Sequence, residues 1–415
     1  MKTEPDSLHS FQLRVLAILA LINFVNFADR LVVPPLFPLL REEFHLSSAQ
    51  LGSLQTLLQI VLALATIPFG LMADRMSRRR IIAAGVVFWS LATFLSGLAQ
   101  SFALLLMARA LVGVGEAAYA PAAQSMISGA FPVESRARAQ AVFAAGMLLG
   151  GTTGLALGGI IGEHLGWRPA FFLVGIPGLI FAVFAWRLKE PPRGPKSELV
   201  PITRLLRVPA YTSLIVSGVL VTFASLAFIT WGPDFVQRWK DFTPGEAGVS
   251  LGVTVSVASL LGVLTGGYVA DFLQKRFLYG RILTVVLAFL AAAPFLIWGF
   301  ATEEKSLVLV ALFIGAFFMS WYHGPVTAVI HDLTPRRAHA TSVGVYMFAT
   351  QLLGGMFGPF VVGKIDDLSN LRLGLQVSVG VMVIGALGMF LVIHFIRRDG
   401  LHHPHLDAFR AEADD

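Results

Sequence analysis

The feature that most constrains this chain is a succession of long, continuously apolar segments. Twelve are present, at roughly residues 12–38, 50–73, 81–100, 103–128, 138–162, 168–188, 209–237, 247–271, 281–301, 306–331, 340–364 and 373–396. A helix needs about 20 apolar residues to cross a bilayer, so each segment is long enough to cross once. Inside lipid every backbone N–H and C=O must be bonded internally, which leaves helices and closed barrels. Barrel strands alternate apolar and polar residues. These segments do not alternate, so the expected fold class is all-α integral membrane, with twelve transmembrane helices. Charged residues are only 13% of the 415, against about 25% in soluble domains. That excludes an ordinary soluble enzyme and a disordered chain. There is no cysteine, hence no disulfide or thiol chemistry. The opening MKTEPDSLHS is polar and leads straight into the first apolar segment without a cleavage-type pattern, so no removable leader is expected.

The basic residues assign an orientation. If the N-terminus is cytoplasmic, the loops on that side carry Arg75, Arg78, Arg79, Arg80, Arg136, Arg138, Arg187, Lys189, Arg193, Lys275, Arg276, Arg336 and Arg337, among others. The opposite loops hold few: Arg41, Arg168, Arg238, Lys240, Lys305, Lys364 and Arg372. Cytoplasmic loops are enriched in Lys and Arg, so both termini are expected in the cytoplasm. The net charge of +6 is then a basic collar at a membrane face, and no nucleic-acid partner is expected.

The two halves of the chain repeat. Gly70-Leu-Met-Ala-Asp74-Arg-Met-Ser-Arg78-Arg79 follows the second segment and Gly267-Tyr-Val-Ala-Asp271-Phe-Leu-Gln-Lys275-Arg276 follows the eighth. Pro121 in the fourth segment corresponds to Pro325 in the tenth. Gly151, Gly154 and Gly159 in the fifth correspond to Gly355, Gly358 and Gly363 in the eleventh. Matches in the same order at nearly one offset indicate duplication. Parallel six-helix repeats are a build of secondary transporters, with the substrate site between halves near the midplane. The proline-rich stretch after Leu188 marks the junction. Residues 1–188 are expected to form an N-terminal six-helix bundle, 189–208 a cytoplasmic linker, 209–397 a C-terminal bundle and 398–415 a cytoplasmic tail.

The loop Gly70-x-x-x-Asp74-Arg75-x-x-Arg78-Arg79 resembles the signature loop of the major facilitator superfamily. Within it, Asn26-Phe-Ala-Asp29-Arg30 and Arg109-Ala-Leu-Val-Gly113-Val-Gly115-Glu116-Ala-Ala-Tyr119-Ala-Pro121 resemble the spinster family. That resemblance implies the major facilitator fold and proton-linked movement of sphingolipids or lysophospholipids. Organic-anion/proton symporters carry similar patterns in the same helices, so a symporter of small organic anions stays open. Antiporters of the superfamily often have Gly-Pro in the fifth helix. Here that region reads Gly150-Gly151-Thr152-Thr153, so symport and antiport both stay open.

Ionisable residues deep in a membrane are costly and mark function by default. Four lie deep here: Asp29, Arg30, Arg109 and Glu116. Asn23, Asn26 and Arg30 share one face of the first helix, and Arg109, Gly113 and Glu116 share one face of the fourth. We expect Asp29 to pair with Arg109 and Glu116 to reach Arg30. Asp29 and Glu116 are the expected proton-coupling carboxylates, and Arg30 and Arg109 their charge partners or binders of a substrate headgroup. A static role, as bridges between helices, is the alternative.

Gly70, Asp74, Arg75, Arg78 and Arg79 are expected to form a cytoplasmic latch, with Asp74 near a helix N-terminus where the dipole favours an anion, or against Arg138. Its second copy keeps Asp271 but replaces the first arginine by Phe272. Asp234, after Gly232-Pro233, is placed for an outer gate. The C-terminal half has no deep Lys or Arg. With Asn26 and Tyr119, its residues Phe223, Phe228, Trp231, Tyr322, His323 and Gln351 are expected to line a cavity, apolar on one wall and charged on the other. Such a cavity suits a molecule with a charged head and an apolar body.

No Walker-type phosphate loop and no His-Glu-x-x-His zinc motif occurs, so the chain is not expected to be an enzyme. No metal and no cofactor is expected, the energy source being a proton gradient. His402-His403-Pro404-His405 in the tail lacks a scaffold and is assigned no role. Protons, the bilayer, a lipid-like or small organic substrate and no second chain are the expected partners. That describes a monomer, multi-pass in a bacterial inner membrane, acting as a carrier. A scramblase or a non-transporting receptor is the alternative class. The paired carboxylates speak against a scramblase and the short linker and tail against a receptor.

Overall fold

A computed structural model describes residues 5–191, 201–277, 279–335 and 338–399. It is helical throughout, with no strand among the described residues. Twelve spans are long and apolar enough to cross a membrane. The first comprises α1 (Pro5–Leu31), a 3-10 turn at Pro34–Leu36 and α2 (Phe37–Phe44). Pro34 and Pro35 lack the N–H groups that would continue α1, so the chain bends there. Then follow α3 (Ser48–Arg75), α4 (Arg78–Gly97), α5 (Phe102–Ala130), α6 (Val133–Leu165) and α7 (Trp167–Trp186). Ser47 starts α3 through a reciprocal cap with Gln50. After the short α8 (Ile202–Leu205) come α9 (Pro209–Trp239), α10 (Pro244–Gln274) and α11 (Gly280–Ala301).

The tenth and eleventh spans are interrupted, which the sequence did not lead us to expect. The tenth is α12 (Lys305–Met319), a 3-10 turn at Ser320–Tyr322 and α13 (His323–Leu333). Pro325 cannot donate to the carbonyl of Trp321, which loosens this turn. The eleventh is α14 (His339–Ala349), a π-helical turn at Thr350–Gly355 and α15 (Met356–Leu368). The chain closes with α16 (Leu371–Asp399).

Packing divides the chain into two compact units. Unit 1 holds Met1–Pro195 and Gly232–Gly252, and unit 2 holds Lys196–Trp231 and Val253–Asp415. Its central joint in unit 1 is α1 against α6, made through glycine. A Cβ added at Gly150, Gly154 or Gly158 would overlap the carbonyl oxygens of Phe24, Ala28 and Val32 in turn. Small residues let helix backbones meet where lipid gives no hydrophobic drive to association. Around this joint a core of Leu19, Ile22, Val86, Trp89, Tyr119 and Phe143 is buried. Unit 2 repeats the joint, with Gly354 and Gly358 seated on the carbonyls of Val219 and Phe223. Its buried residues include Tyr211, Trp231, Phe289, Met382 and Met389.

Candidate functional site

The four deep charges meet between α1 and α5. Arg109 Nη1 donates to Asp29 Oδ1 at 2.8 Å, and both side chains are about 1% exposed. Arg30 Nε donates to Glu116 Oε2 at 2.7 Å, with Glu116 fully buried and Arg30 19% exposed. The Arg30 guanidinium also lies 5.0 Å from the centre of the Phe27 ring. Both expected pairs are therefore formed. Helix geometry explains the pairing: Arg109 and Glu116 are seven residues apart, about two turns on one face, and Gly113 between them lets α5 sit close on α3. A Cβ at Gly113 would come 2.7 Å from Leu58 O.

A third helix, not foreseen from the residue pattern, also enters this site. Thr93 of α4, fully buried, donates its hydroxyl to Asp29 Oδ2. Three polar atoms here are buried and lack a hydrogen-bond partner among the described residues: Asn26 Nδ2, Arg109 Nη2 and Glu116 Oε1. Buried polar groups in native proteins are almost always bonded to protein or water. A polar occupant, water or a substrate group, fits the spare capacity. Tyr119 lies apart from this set, in the core against Trp89 and Phe143, with its hydroxyl on the carbonyl of Leu19.

In unit 2 the candidate residues are dispersed. Trp231 is buried and its indole N–H donates to Pro359 O at 2.8 Å. The half-buried Phe228 packs on Phe300, with ring centres 5.9 Å apart, and Phe223 lies beneath Gly358. Tyr322 shares a hydroxyl–hydroxyl hydrogen bond with Tyr346, a residue not foreseen. His323 and Gln351 are exposed on the surface of unit 2, at the start of α13 and on the π turn. Broken helices are where transporters commonly build substrate sites.

The signature loop builds a compact knot. Arg78, 3% exposed, donates to Ser125 O and Oγ at 3.2 and 3.0 Å and to Pro191 O at 2.6 Å. Arg79 donates to Leu188 O at 3.2 Å. Glu190, which the sequence did not single out, accepts from the Ser77 hydroxyl and from the Arg79 backbone N–H. Partial burial pushes against its charge, but these hydrogen bonds and the nearby Arg78 charge hold its carboxyl below the usual range. Around Gly70 there is open space, Arg75 and Arg138 are exposed, and the Asp74 side chain lies outside the described residues. The tail histidines lie outside them too. In unit 2 the exposed Asp271 is 3.9 Å from Arg281, which also holds Asp332 at 2.6 Å.

Asp234, fully buried, receives Arg41 through both guanidinium nitrogens at 3.0 Å, and Arg238 at 3.2 Å. Gln237 donates to Pro35 O at 3.1 Å. All of these residues belong to unit 1.

The sequence matches the family model of the Major Facilitator Superfamily over residues 19–359. The chain belongs to the Major Facilitator Superfamily. Among relatives of this superfamily member is an MFS-type efflux pump of Mycolicibacterium smegmatis, 28% identical over 92% of each chain. A sphingosine-1-phosphate transporter of Danio rerio is 27% identical over 84% of this chain and 75% of its own. A crystal structure of a bacterial homologue of the human lysosomal transporter Spinster, inward-facing and occupied, is 26% identical. It aligns with a TM-score of 0.85 over 94% of this chain and 98% of that one. This Major Facilitator Superfamily protein is thus a spinster-like, multi-pass membrane protein, and its family and structural neighbours are transporters.

Proposed function

We propose that this protein is a proton-coupled secondary carrier of amphipathic, lipid-like molecules of the lysophospholipid or sphingolipid type, working by alternating access. The observation that carries the proposal is the pair of buried carboxylate–arginine contacts, Asp29–Arg109 and Glu116–Arg30, with unbonded polar atoms beside them. A buried ion pair holds only while both partners are charged, and removing one charge leaves the other stranded in a poor solvent. Protonation of Glu116 or Asp29 releases an arginine, and an anionic headgroup is a suitable replacement partner. Arg30 is the more accessible of the two. Proton and substrate are thereby linked through shared arginines. The lipid-like substrate is supported by the similarity to the sphingosine-1-phosphate transporter.

In this proposal the two duplicated halves rock about the site. Both termini face the cytoplasm of a bacterial cell, the side on which most loop arginines fall. The knot around Arg78, Arg79 and Glu190 braces the cytoplasmic latch, to which we assign Gly70, Asp74, Arg75, Arg138 and Asp271.

The test compares wild type, Asp29→Asn and Glu116→Gln in proteoliposomes with and without a pH gradient, using a fluorescent lysophosphatidylglycerol. Uptake stimulated by the gradient in wild type and lost in both variants is expected. Full pH-driven uptake in both would refute the coupling. A thermal-shift panel of lysolipids and small organic anions on purified protein tests the substrate class. Stabilisation by the small anions alone would replace the lipid proposal with organic-anion symport.

A further inference from the structure

The hydroxyl of Thr93 is used differently from its neighbours. Ser and Thr inside a helix usually return their hydroxyl to the carbonyl one turn back. Ser96 does so to Ala92 at 3.0 Å, Thr66 to Leu62 at 2.7 Å and Thr152 to Leu148 at 3.0 Å. Thr93 instead donates across to α1, to Asp29 Oδ2. Asp29 Oδ1 is held by Arg109 from α5. Each carboxylate oxygen therefore has one donor, and the two donors come from different helices. That fixes the plane of the carboxylate, which one arginine contact leaves free to rotate.

The position of Thr93 is set from behind. Gly175 of α7 brings its backbone so close that an added Cβ would stand 3.1 Å from Ser90 O, 3.4 Å from Phe94 N and 3.6 Å from Thr93 Cβ. One turn on, Gly178 faces the Ser90 hydroxyl with no room for a side chain. Ser90 and Thr93 are both fully buried. The backbone of α7 thus presses the polar stripe of α4 toward α1.

We propose that Thr93 is a positioning residue: its hydroxyl, seated by α7, holds the Asp29 carboxylate in register with Arg109. This rests on the coupling role of Asp29 proposed above. The charged groups facing Asp29 are Arg109 and Glu116 from α5 and Arg30 on its own helix. The other helices packed here add none at this level. Between Arg138 and Glu163 in α6, Arg168 and Arg187 around α7, Ser48 and Asp74 in α3, and Arg80 and Gly97 in α4 there is no charged residue. Thr93 is thus a neutral donor on a carboxylate whose other donor is charged. Loss of a donor to a charged form favours the neutral form.

The experiment is a cycle of Thr93→Val, Thr93→Ser, Asp29→Asn and Asp29→Asn/Thr93→Val. Each is read by pH-dependent uptake of the fluorescent lysophosphatidylglycerol and by melting temperature. Val keeps the shape and removes the hydroxyl, whereas Ser keeps the hydroxyl. Thr93→Val should move the pH profile of uptake up by about one unit, the tenfold effect of a hydrogen bond to a charged group. Thr93→Ser should retain the wild-type profile. In the Asp29→Asn background, Thr93→Val should change neither uptake nor melting further. An unmoved profile with lower amplitude in Thr93→Val, or a fully additive melting loss in the double variant, would overturn the proposal. Full pH-driven uptake by Asp29→Asn refutes the coupling role instead. The melting cycle, which needs no substrate, then still decides whether Thr93 acts through Asp29.

Discussion

Gly115→Ala tests whether the charged site depends on how closely α4 and α5 approach. Gly115 precedes Glu116 and faces α4. A Cβ there would stand 2.7 Å from both Trp89 Cβ and Trp89 N, and 2.8 Å from Gly85 O. Ordinary contact begins near 3.4 Å, so the methyl group is about 0.7 Å too close to two atoms at once. One of these is backbone, which no rotamer change relieves, so the helices must separate by a similar distance. Overpacking of this kind costs about 1–3 kcal/mol. For a unit of this size that is roughly 2–12 °C in melting temperature. The same displacement moves Thr93, one turn beyond Trp89, away from Asp29. The assay is thermal unfolding of purified protein in one detergent, with Gly380→Ala as the control, because a Cβ at Gly380 meets nothing within 4 Å. Gly380→Ala should melt at or above wild type, since alanine favours a helix over glycine by about 1 kcal/mol. Equal melting of Gly115→Ala, Gly380→Ala and wild type would refute the reasoning.

Two further perturbations address the contacts away from the charged pairs. Asp234→Ala removes the carboxylate that Arg41 and Arg238 share. It should lower unit stability by about 1–3 kcal/mol. It should also raise maleimide labelling of Gln237→Cys, which has no background because the chain has no cysteine. Glu190→Gln should destabilise the knot in a pH-dependent way. The Glu190 carboxyl is held below its ordinary value of 4.5, so its stabilising contribution is present above that pH and is lost as pH falls through the lowered value. The melting difference between wild type and Glu190→Gln should therefore be present at neutral pH and shrink in acid, and a difference that grew in acid would contradict the ion-pair account.

What the sequence revealed follows from which signals are periodic. The twelve spans are long hydropathy signals, and all twelve are present as helical spans, the first, tenth and eleventh of them interrupted. Of the glycines whose repeat marked the duplication, Gly154 and Gly358 are seated on backbone carbonyls of a neighbouring helix, so the repeat also marks equivalent joints in the two halves. The pairs Asp29–Arg109 and Glu116–Arg30 could be read because four charges in an apolar background have few partners to choose from. The contribution of Thr93 could not be read. A threonine in an apolar helix ordinarily bonds its own backbone, and the acceptor used instead, Asp29, lies sixty-four residues earlier on another helix. Glu190 was equally silent, since its partners lie more than a hundred residues earlier and it sits in an unpatterned stretch. The turns at Ser320–Tyr322 and Thr350–Gly355 interrupt spans whose hydropathy runs unbroken through them. Gly324-Pro325 was a local sign of the first, whereas the π turn has no comparable mark.

The glycine joint of α1 and α6 has a consequence for how α1 distributes its circumference. Adhesion to α6 runs largely from main chain to main chain, through Gly150, Gly154 and Gly158 against the carbonyls of Phe24 and Ala28 in α1 and of Val32 just after it. A helix that binds its neighbour with large side chains must reserve a face for them. Apart from Asn23, whose amide donates to Phe143 O of α6 at 2.8 Å, that face needs no polar side chain, and the remainder is released to carry Asn26, Asp29 and Arg30. Variation along α1 should then be tolerated unevenly: small-for-small changes facing α6 leave the joint intact, while the same helix admits almost no change on the face that holds charge.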